Sequence, residues 1–517
     1  MDANLKLVPC IVLRGYARLM IEVEIRSVLD DDLNREKILK LRPENVDAGA
    51  IEVFQRIFVE ILNFDVVRGA FGGVAESIST QDWNKQAEAV EACIIAERDD
   101  FRVLYVGLRK LTRTAQRYAV SSIIRERWAS KGEFVVIFYA QGSDVWHMVC
   151  PYVTEGRIIL RRYVVGIGEK HRTVSENLAN MDATIETPLF ERVQDAFRLK
   201  PVTEQFYGDY KNYFSKIKEC IRSLGIGIRN SKKYSHLFLN RLMFVYFIQK
   251  KGWIGDNKEF VKWFLEAYRE FGEKNRFHEK WLNKLFFEAM NKPPREKKFS
   301  AGFPGEVCEV LNRIPYLNGG LFEKDDVDEL GIELPDSLVM EVIEVFLENY
   351  NFTITEESPF DLDIAVDPAM LGKIYESLIA EEERGKAGIF YTPRIEVDLM
   401  CRLALYEYLQ QQRTDKSGTL EEALVNQLLE KVIDFLFTPL EEWKIKDESE
   451  FRVLKKLLDS VKVVDPACGS GAFLVGMLSV LQELYAKMGI EADYDLKENI
   501  INNNLYGVDI KDWAVRM

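Results

Sequence analysis

Residues Lys462–Gly476 read KVVDPACGSGAFLVG. A short valine-rich strand leads into an acid, the acid into a glycine-rich turn, and the turn into an apolar run that opens a helix. That order is how an α/β sheet presents a nucleoside-like ligand at the carboxyl edge of its strands. Gly469 and Gly471 can take backbone angles closed to other residues, and without a Cβ they let a ligand approach the chain closely. Asp465 stands at the strand tip, placed to accept hydrogen bonds from a bound cation or from N–H groups of the turn. A lone G-x-G is weak evidence; the longer string D-P-A-C-G-S-G-A-F-L is not.

The flanks extend the pattern. A helix over Phe473–Lys487 and a loop lead to NLYGVDIKDWAVRM, where Leu505–Val508 reads as a second strand. Asp509 at its tip is placed to bind both ribose hydroxyls of a nucleoside. Upstream, GIFYTP precedes the amphipathic stretch RIEVDLMCRLALYEYL, with Thr392 set to cap that helix and Pro393 to open it. A helix N-terminus offers free N–H groups to a carboxylate. Asp367 is a helix cap in DPAMLGKIYESL, with Leu371, Ile374, Tyr375 and Leu378 on one apolar face. The stretch EEALVNQLLEKVIDFLF is a packing helix.

The D-P-A-C-G-S-G-A-F-L string resembles the S-adenosylmethionine motif of amino-group DNA methyltransferases, above all the N6-adenine type. LNGGLFE, DPAMLGKIYESL, GKAGIFYTP and DPACGSGAFL, in this order, resemble the Eco57I-like family of type IIG restriction–modification proteins. In that family one chain joins a nuclease domain, a helical connector, an adenine-specific methyltransferase and a target-recognition domain. The likeness runs from about Tyr234 onward and is looser before Ala179. It implies S-adenosylmethionine as cofactor and double-stranded DNA as partner. Phe390, Tyr391, Thr392 and Pro393 match the family's cofactor motif ahead of the catalytic core. Asp465, Pro466, Ala467, Cys468, Gly469, Gly471 and Phe473 match its glycine motif, and Asp509 with Ile510 the acid after the second strand. The fold expected is multi-domain α/β. Residues 1–180 would form an α/β nuclease-like domain, 181–360 a helical connector, and 361–517 the start of a Rossmann-like methyltransferase domain.

The front of the chain reads first as helices, to about residue 98, then as strands at Phe101–Leu108, Phe134–Ala140, Trp146–Val153 and Ile158–Gly166. A basic helix, TRTAQRYAVSSIIRERW, separates the first two. Short turns join the last three, which predicts an antiparallel meander. The order is similar to a restriction-nuclease core, which holds magnesium with one acid plus E-x-K. That constellation is missing: Phe134–Ala140 carries no acid, Glu296–Lys298 lies in a Pro/Lys-rich loop, and Glu442–Lys444 lies in the methyltransferase region. The expectation is therefore a degenerate or purely structural domain rather than an intact nuclease, with magnesium needed only if it cuts DNA. The run His236–Trp253 is apolar on most faces and reads as a buried helix, with His236 and Asn240 a core pair rather than a metal site.

A hydrophobic content of 47% and a charged content of 29% describe an ordinary globular chain. No stretch has the roughly 18 uninterrupted apolar residues of a membrane span. Seven scattered cysteines without C-x-x-C argue against disulfide or zinc frameworks, and a cytoplasmic location fits. A net charge of −14 argues against a nucleic-acid coat but leaves local contacts open, for basic islands exist, among them Lys292, Arg295, Lys297 and Lys298. Adenine methyltransferases use a D/N/S-P-P-Y/F/W tetrad to hold the flipped base. None occurs among the 517 residues, so no catalytic residue can be assigned. The expectation is the front portion of a longer enzyme, or one half of a split one completed by a second polypeptide. Ending after the second strand would leave an open edge and an uncovered apolar face. The rival readings are a non-catalytic SAM- or DNA-binding subunit and a methyltransferase acting on RNA or protein.

Overall fold

The computed structural model describes residues 4–31, 46–67, 75–125, 133–154, 157–185, 187–300, 302–317, 320–353, 361–366, 392, 394–412, 420–438, 443, 448–469, 471–491 and 493–509. It divides into a unit of Met1–Asn318 with Phe322–Pro368 and a unit built on Ala369–Met517.

The first unit centres on a sheet in the order β1 to β7: Glu76–Ser77, Ala89–Arg98, Phe101–Leu108, Phe134–Ala140, Val145–Thr154, Arg157–Gly166 and Asp361–Asp363. Two helices precede it, α1 (Asn4–Asp31) and α2 (Val46–Gln55). β3 and β4 run parallel, joined over one face by helix α3 (Arg113–Ile124). β4, β5 and β6 form the expected antiparallel meander. The central strands are near-continuous apolar runs because both faces are covered. Val103, Tyr105, Val135 and Ile137 point into one core with Ile25 of α1, Phe54 of α2 and Phe58 of the π-helical turn after α2. Leu104, Val106, Val136 and Phe138 point the other way, onto Tyr118, Ala119 and Ile123 of α3. Thr112 caps α3 by accepting from the N–H of Ala115.

Two strands depart from the expectation. The stretch before residue 98 is not all helix: Ala89–Arg98 is β2, paired antiparallel with β3 through a turn in which Asp99 has φ +51°. Its Ala and Glu residues suit a helix, but pairing and burial of Ile94 and Ile95 decide. Residues 361–366, grouped from sequence with the segment that follows, pair with β6 and form bridge Phe352–Val366.

What seats β7 is a buried charge network. Arg162 on β6, 1% exposed, donates to Asp363 Oδ1 at 2.9 Å and to Gln116 Oε1 at 2.9 Å. Arg113 lies 2.7 Å from Asp363 Oδ2, and the Thr353 hydroxyl donates to the same oxygen at 3.0 Å. Burial works against ionising Asp363, but Arg113 and Arg162 outweigh it and hold the carboxyl below its ordinary value. The amide of Gln116 donates onward to His147 Nδ1 at 2.8 Å.

The α-helices of this unit that follow β6 are, in sequence order, α4 (Arg172–Leu178), α5 (Leu189–Ala196), α6 (Leu199–Ser223), α7 (Ile228–Lys250), α8 (Phe260–Phe271), α9 (Gly305–Arg313) and α10 (Asp336–Met340). α7 is buried as its sequence predicts, and His236 and Asn240 both meet the hydroxyl of Tyr210, at 3.2 and 3.4 Å.

Burial holds three histidines uncharged: it is the chief cause lowering His147 to about 3 and His236 and His278 to about 4, with Arg162 adding to it at His147. Each binds a proton more weakly folded than unfolded. The unfolded chain therefore takes up more protons below the ordinary histidine pKa, and stability falls as pH drops from about 6.5 toward 4. Denaturation midpoints measured through that window should decline steadily, and less steeply in His147→Gln; a flat profile would contradict the burial of these rings.

In the second unit, helices α11 (Arg394–Gln410), α12 (Leu420–Glu430), α13 (Val432–Phe437), α14 (Glu448–Ser460), α15 (Ala472–Lys487) and α16 (Tyr494–Asn504) surround strands β8 (Val463–Asp465) and β9 (Leu505–Gly507). The strands run parallel, Asp465 opposite Gly507. The amide of Asn504 donates to the carbonyl of Val461 at 2.7 Å, tying the end of α16 to the start of β8. Arg402 on α11 joins Asp398 and Glu483 in a buried ion cluster that also takes in Lys487. One face of the strand pair packs on the core through Val463 and Leu505. The other is open: Val464 is 63% and Val508 59% exposed. Among the described residues β8 has β9 as its sole strand neighbour.

Candidate functional site

The loop after β8 closes on the loop after β9. The N–H of Val508 donates to the carbonyl of Asp465 at 2.9 Å, and the N–H of Cys468 to the carbonyl of Val508 at 3.0 Å. Asp509 Oδ2 accepts from the N–H of Gly469 at 2.8 Å. The acid at the second strand tip thus braces the glycine turn, a link between residues 40 apart in sequence. Gly469 and Gly471 have φ of +52° and +85°, the left-handed region that glycine takes without strain. Around Gly471 there is open space, so conformation rather than crowding requires glycine there. It caps α15, whose first N–H groups follow directly.

Asp465 Oδ1 accepts from the N–H of Ala467 at 3.1 Å. Asp465 Oδ2 is buried and has no hydrogen-bond partner among the described residues. A buried carboxylate oxygen left unpaired costs on the order of 1–3 kcal/mol or more, so native chains keep such atoms where a ligand satisfies them. The thiol of Cys468, between the strand tips, is pushed up by burial and by Asp465 and Asp509. Burial, Asp398 and Asp465 likewise push Cys401 on α11 up to about 12. Both cysteines are therefore protonated, and neither is an activated nucleophile. Two carboxylates on strand tips, left-handed glycines and a helix start suit a ligand with hydroxyl donors and a cationic group.

Pro466 and Ala467 lie exposed on the outside of the turn, and Phe473 packs partly buried at the start of α15. Thr392 stands two residues ahead of α11. Phe390, Tyr391, Pro393 and Ile510 lie outside the described residues, as does the DPAMLGKIYESL stretch. Sequence reasoning missed Gly476. A Cβ there would stand 2.4 Å from Val397 Cγ1, so this glycine lets α11 press against α15, and Cys401 Sγ reaches the carbonyl of Phe473 at 3.7 Å. The signal was a glycine inside the apolar run FLVGML.

Among the described residues no cluster of three or more His, Cys, Asp or Glu side chains is disposed to hold a metal ion, and no helix is long and apolar enough to cross a membrane. The Glu296–Lys298 triplet runs from a 3-10 turn into a loop ahead of α9.

Residues 441–517 match the family described as "MmeI, DNA-methyltransferase domain". The chain is 30% identical over 309 residues to a Methanocaldococcus jannaschii protein named as a type II restriction enzyme and methyltransferase, covering 56% of this chain and 24% of that one. It is 41% identical over 59 residues to the adenine-specific methyltransferase BrxX of Escherichia coli, 5% of that protein's length. It is 22% identical over 312 residues to DNA methyltransferase A of Bacillus subtilis, 28% of its length. The chain thus spans about a quarter of the two relatives it matches most extensively. No solved structure matches it. The resemblance to type IIG restriction–modification proteins with an adenine methyltransferase is borne out: the glycine turn falls in the MmeI methyltransferase match, and over half the chain is similar to restriction–modification and DNA-methylating proteins.

Proposed function

We propose that the second unit is the cofactor-binding part of an S-adenosylmethionine-dependent DNA methyltransferase that modifies the N6 amine of adenine in a type IIG restriction–modification system. The unpartnered, buried Oδ2 of Asp465, in the segment matched to a DNA-methyltransferase domain, carries the reading. Bound there, the cofactor supplies an electrophilic methyl group. Asp465 takes a hydrogen bond from the ligand, with Gly469 and Gly471 allowing close approach of the backbone. Asp509 splits its carboxylate between bracing the turn through Gly469 and holding ribose hydroxyls. The resemblance to the family's cofactor motifs assigns Phe390, Tyr391, Thr392 and Pro393, and Ile510 next to Asp509 in sequence, to the same cofactor. The match to an adenine-specific relative favours adenine as acceptor.

No base-handling tetrad occurs among residues 1–517, so what is proposed for them is cofactor binding and not base recognition. The family's domain order supports reading residues 1–180 as a nuclease-like domain, intact or degenerate, 181–360 as a connector and 361–517 as the start of the methyltransferase domain. Magnesium is needed only if the first of these cuts DNA. A cytoplasmic setting follows from the DNA substrate.

The test is methyl transfer from labelled cofactor to duplex DNA by the full gene product, with nucleosides separated afterwards. N6-methyladenine is the expected product. Label in cytosine, RNA or protein would contradict the acceptor assignment. Cofactor binding with no transfer, even with the tetrad-bearing chain present, would favour a non-catalytic subunit.

A further inference from the structure

The chain is strongly acidic, yet between Asn291 and Leu317 it has five basic residues against three acidic ones. The fold gathers the basic ones. The segment through Lys297 and Phe299 lies against the end of α9: Lys297 Nζ donates to the carbonyl of Ile314, and the side chain of Asn312 bonds both the N–H and the carbonyl of Phe299 at 3.1 Å. The N–H of Leu317 donates to the carbonyl of Met290 at 2.9 Å, closing the far end. Phe299 packs edge-on to Phe303, and Phe303 edge-on to Trp281. The loop pair is therefore built on a rigid floor.

Arg295, Lys298 and Arg313 project from it within two residues of these clamps, all exposed. None makes an ion pair or a side-chain hydrogen bond with a described residue, although Glu296 and Glu309 lie in the same stretch. Lys216 and Lys233 of the same unit, by contrast, each meet a carboxylate, Glu341 and Asp325. Lys297 is mostly buried with a carbonyl beside it and no carboxylate among the described residues, and burial lowers it to about 8. Three exposed cations without a described carboxylate partner, held together on one rigid loop pair, leave a locally positive patch on an acidic chain, the electrostatic footprint that a polyanion meets.

We infer that the loop pair 291–299 and 312–317 of the helical region is a docking ridge for the phosphate backbone of duplex DNA, with Arg295, Lys298 and Arg313 as the phosphate contacts. This rests on DNA being the substrate. It makes the helical region an active clamp rather than a spacer, and it is independent of base sequence because only backbone charge is met.

The test is fluorescence anisotropy of a labelled duplex of arbitrary sequence with the full chain, across a salt series. Arg295→Ala, Lys298→Ala and Arg313→Ala combined should weaken binding and flatten the slope of log affinity against log salt by about 2–3, at ~0.9 for each phosphate no longer neutralised. The exposed set Lys251, Lys258 and Lys262, changed to alanine together, serves as the control and should leave the slope in place. Unchanged affinity and slope in the first variant would overturn the inference. So would an equal fall in the control, absence of duplex binding by the wild type, or binding confined to RNA. S-adenosylmethionine binding, measured on the same samples, should be equal in all three proteins. If it is absent while duplex binding depends on the ridge, the methyltransferase reading fails and the ridge stands.

Discussion

Asp465→Asn should lower the affinity of the chain for S-adenosylmethionine by roughly 10- to 100-fold, the worth of one charge-assisted hydrogen bond at ~1.5–3 kcal/mol. In the unliganded protein Oδ1 already accepts from Ala467, while Oδ2 is buried and waits for a donor. The asparagine amide fits the same space. It must either turn its NH2 toward the ligand's donors or surrender the bond from Ala467, and both choices penalise the complex more than the free protein. Calorimetric titration of wild type and variant reads the difference. The fold should be unaffected, since the replaced oxygen makes no internal bond among the described residues, so equal melting temperatures separate a binding defect from a folding defect. Undiminished binding in the variant would show that this oxygen is not part of the site.

Asp363→Ala should destabilise the first unit by about 3–5 kcal/mol, the usual cost of removing one partner from a buried ion pair. Arg162 would keep its bond to Gln116 but lose its carboxylate in an environment that admits 1% of its surface to solvent. Arg113 and the hydroxyl of Thr353 would lose the same acceptor. The damage concentrates at the edge of the sheet, because β7 holds to β6 over three residue pairs. Urea denaturation followed by tryptophan fluorescence should show the midpoint falling sharply in the variant. A shift equivalent to less than about 1 kcal/mol would mean that water replaces Asp363 without strain, as at a surface ion pair.

These two aspartates also mark what sequence reveals and what it hides. Asp465 was legible because glycine angles, strand ending and helix start are local and fall within a dozen residues of one another. The brace from Asp509 to Gly469 was not, since the strand tip predicts a ligand-facing acid and says nothing of which N–H lies across from it. Strands β3 and β4 declared themselves through β-branched and aromatic runs. β2 did not, because alanine and glutamate leave its preference open until β3 pairs with it. β7 is harder still. Nothing in the sequence Asp-Leu-Asp suggests a strand, and its place is set by a guanidinium 201 residues away. The basic island at 292–298 could be seen in the sequence, but its clamp against Ile314 and the lack of carboxylate partners for Arg295 and Lys298 among the described residues could be seen only in the fold.

If the turn between β8 and α15 holds S-adenosylmethionine, photo-crosslinking of radiolabelled cofactor to the full chain, with peptide mapping of the adduct, tests it most directly. The label should map to peptides containing residues 463–476, 505–510 or the GIFYTP stretch, and excess unlabelled cofactor should displace it. Label confined to other peptides, or none that competes, would contradict a cofactor site at this turn.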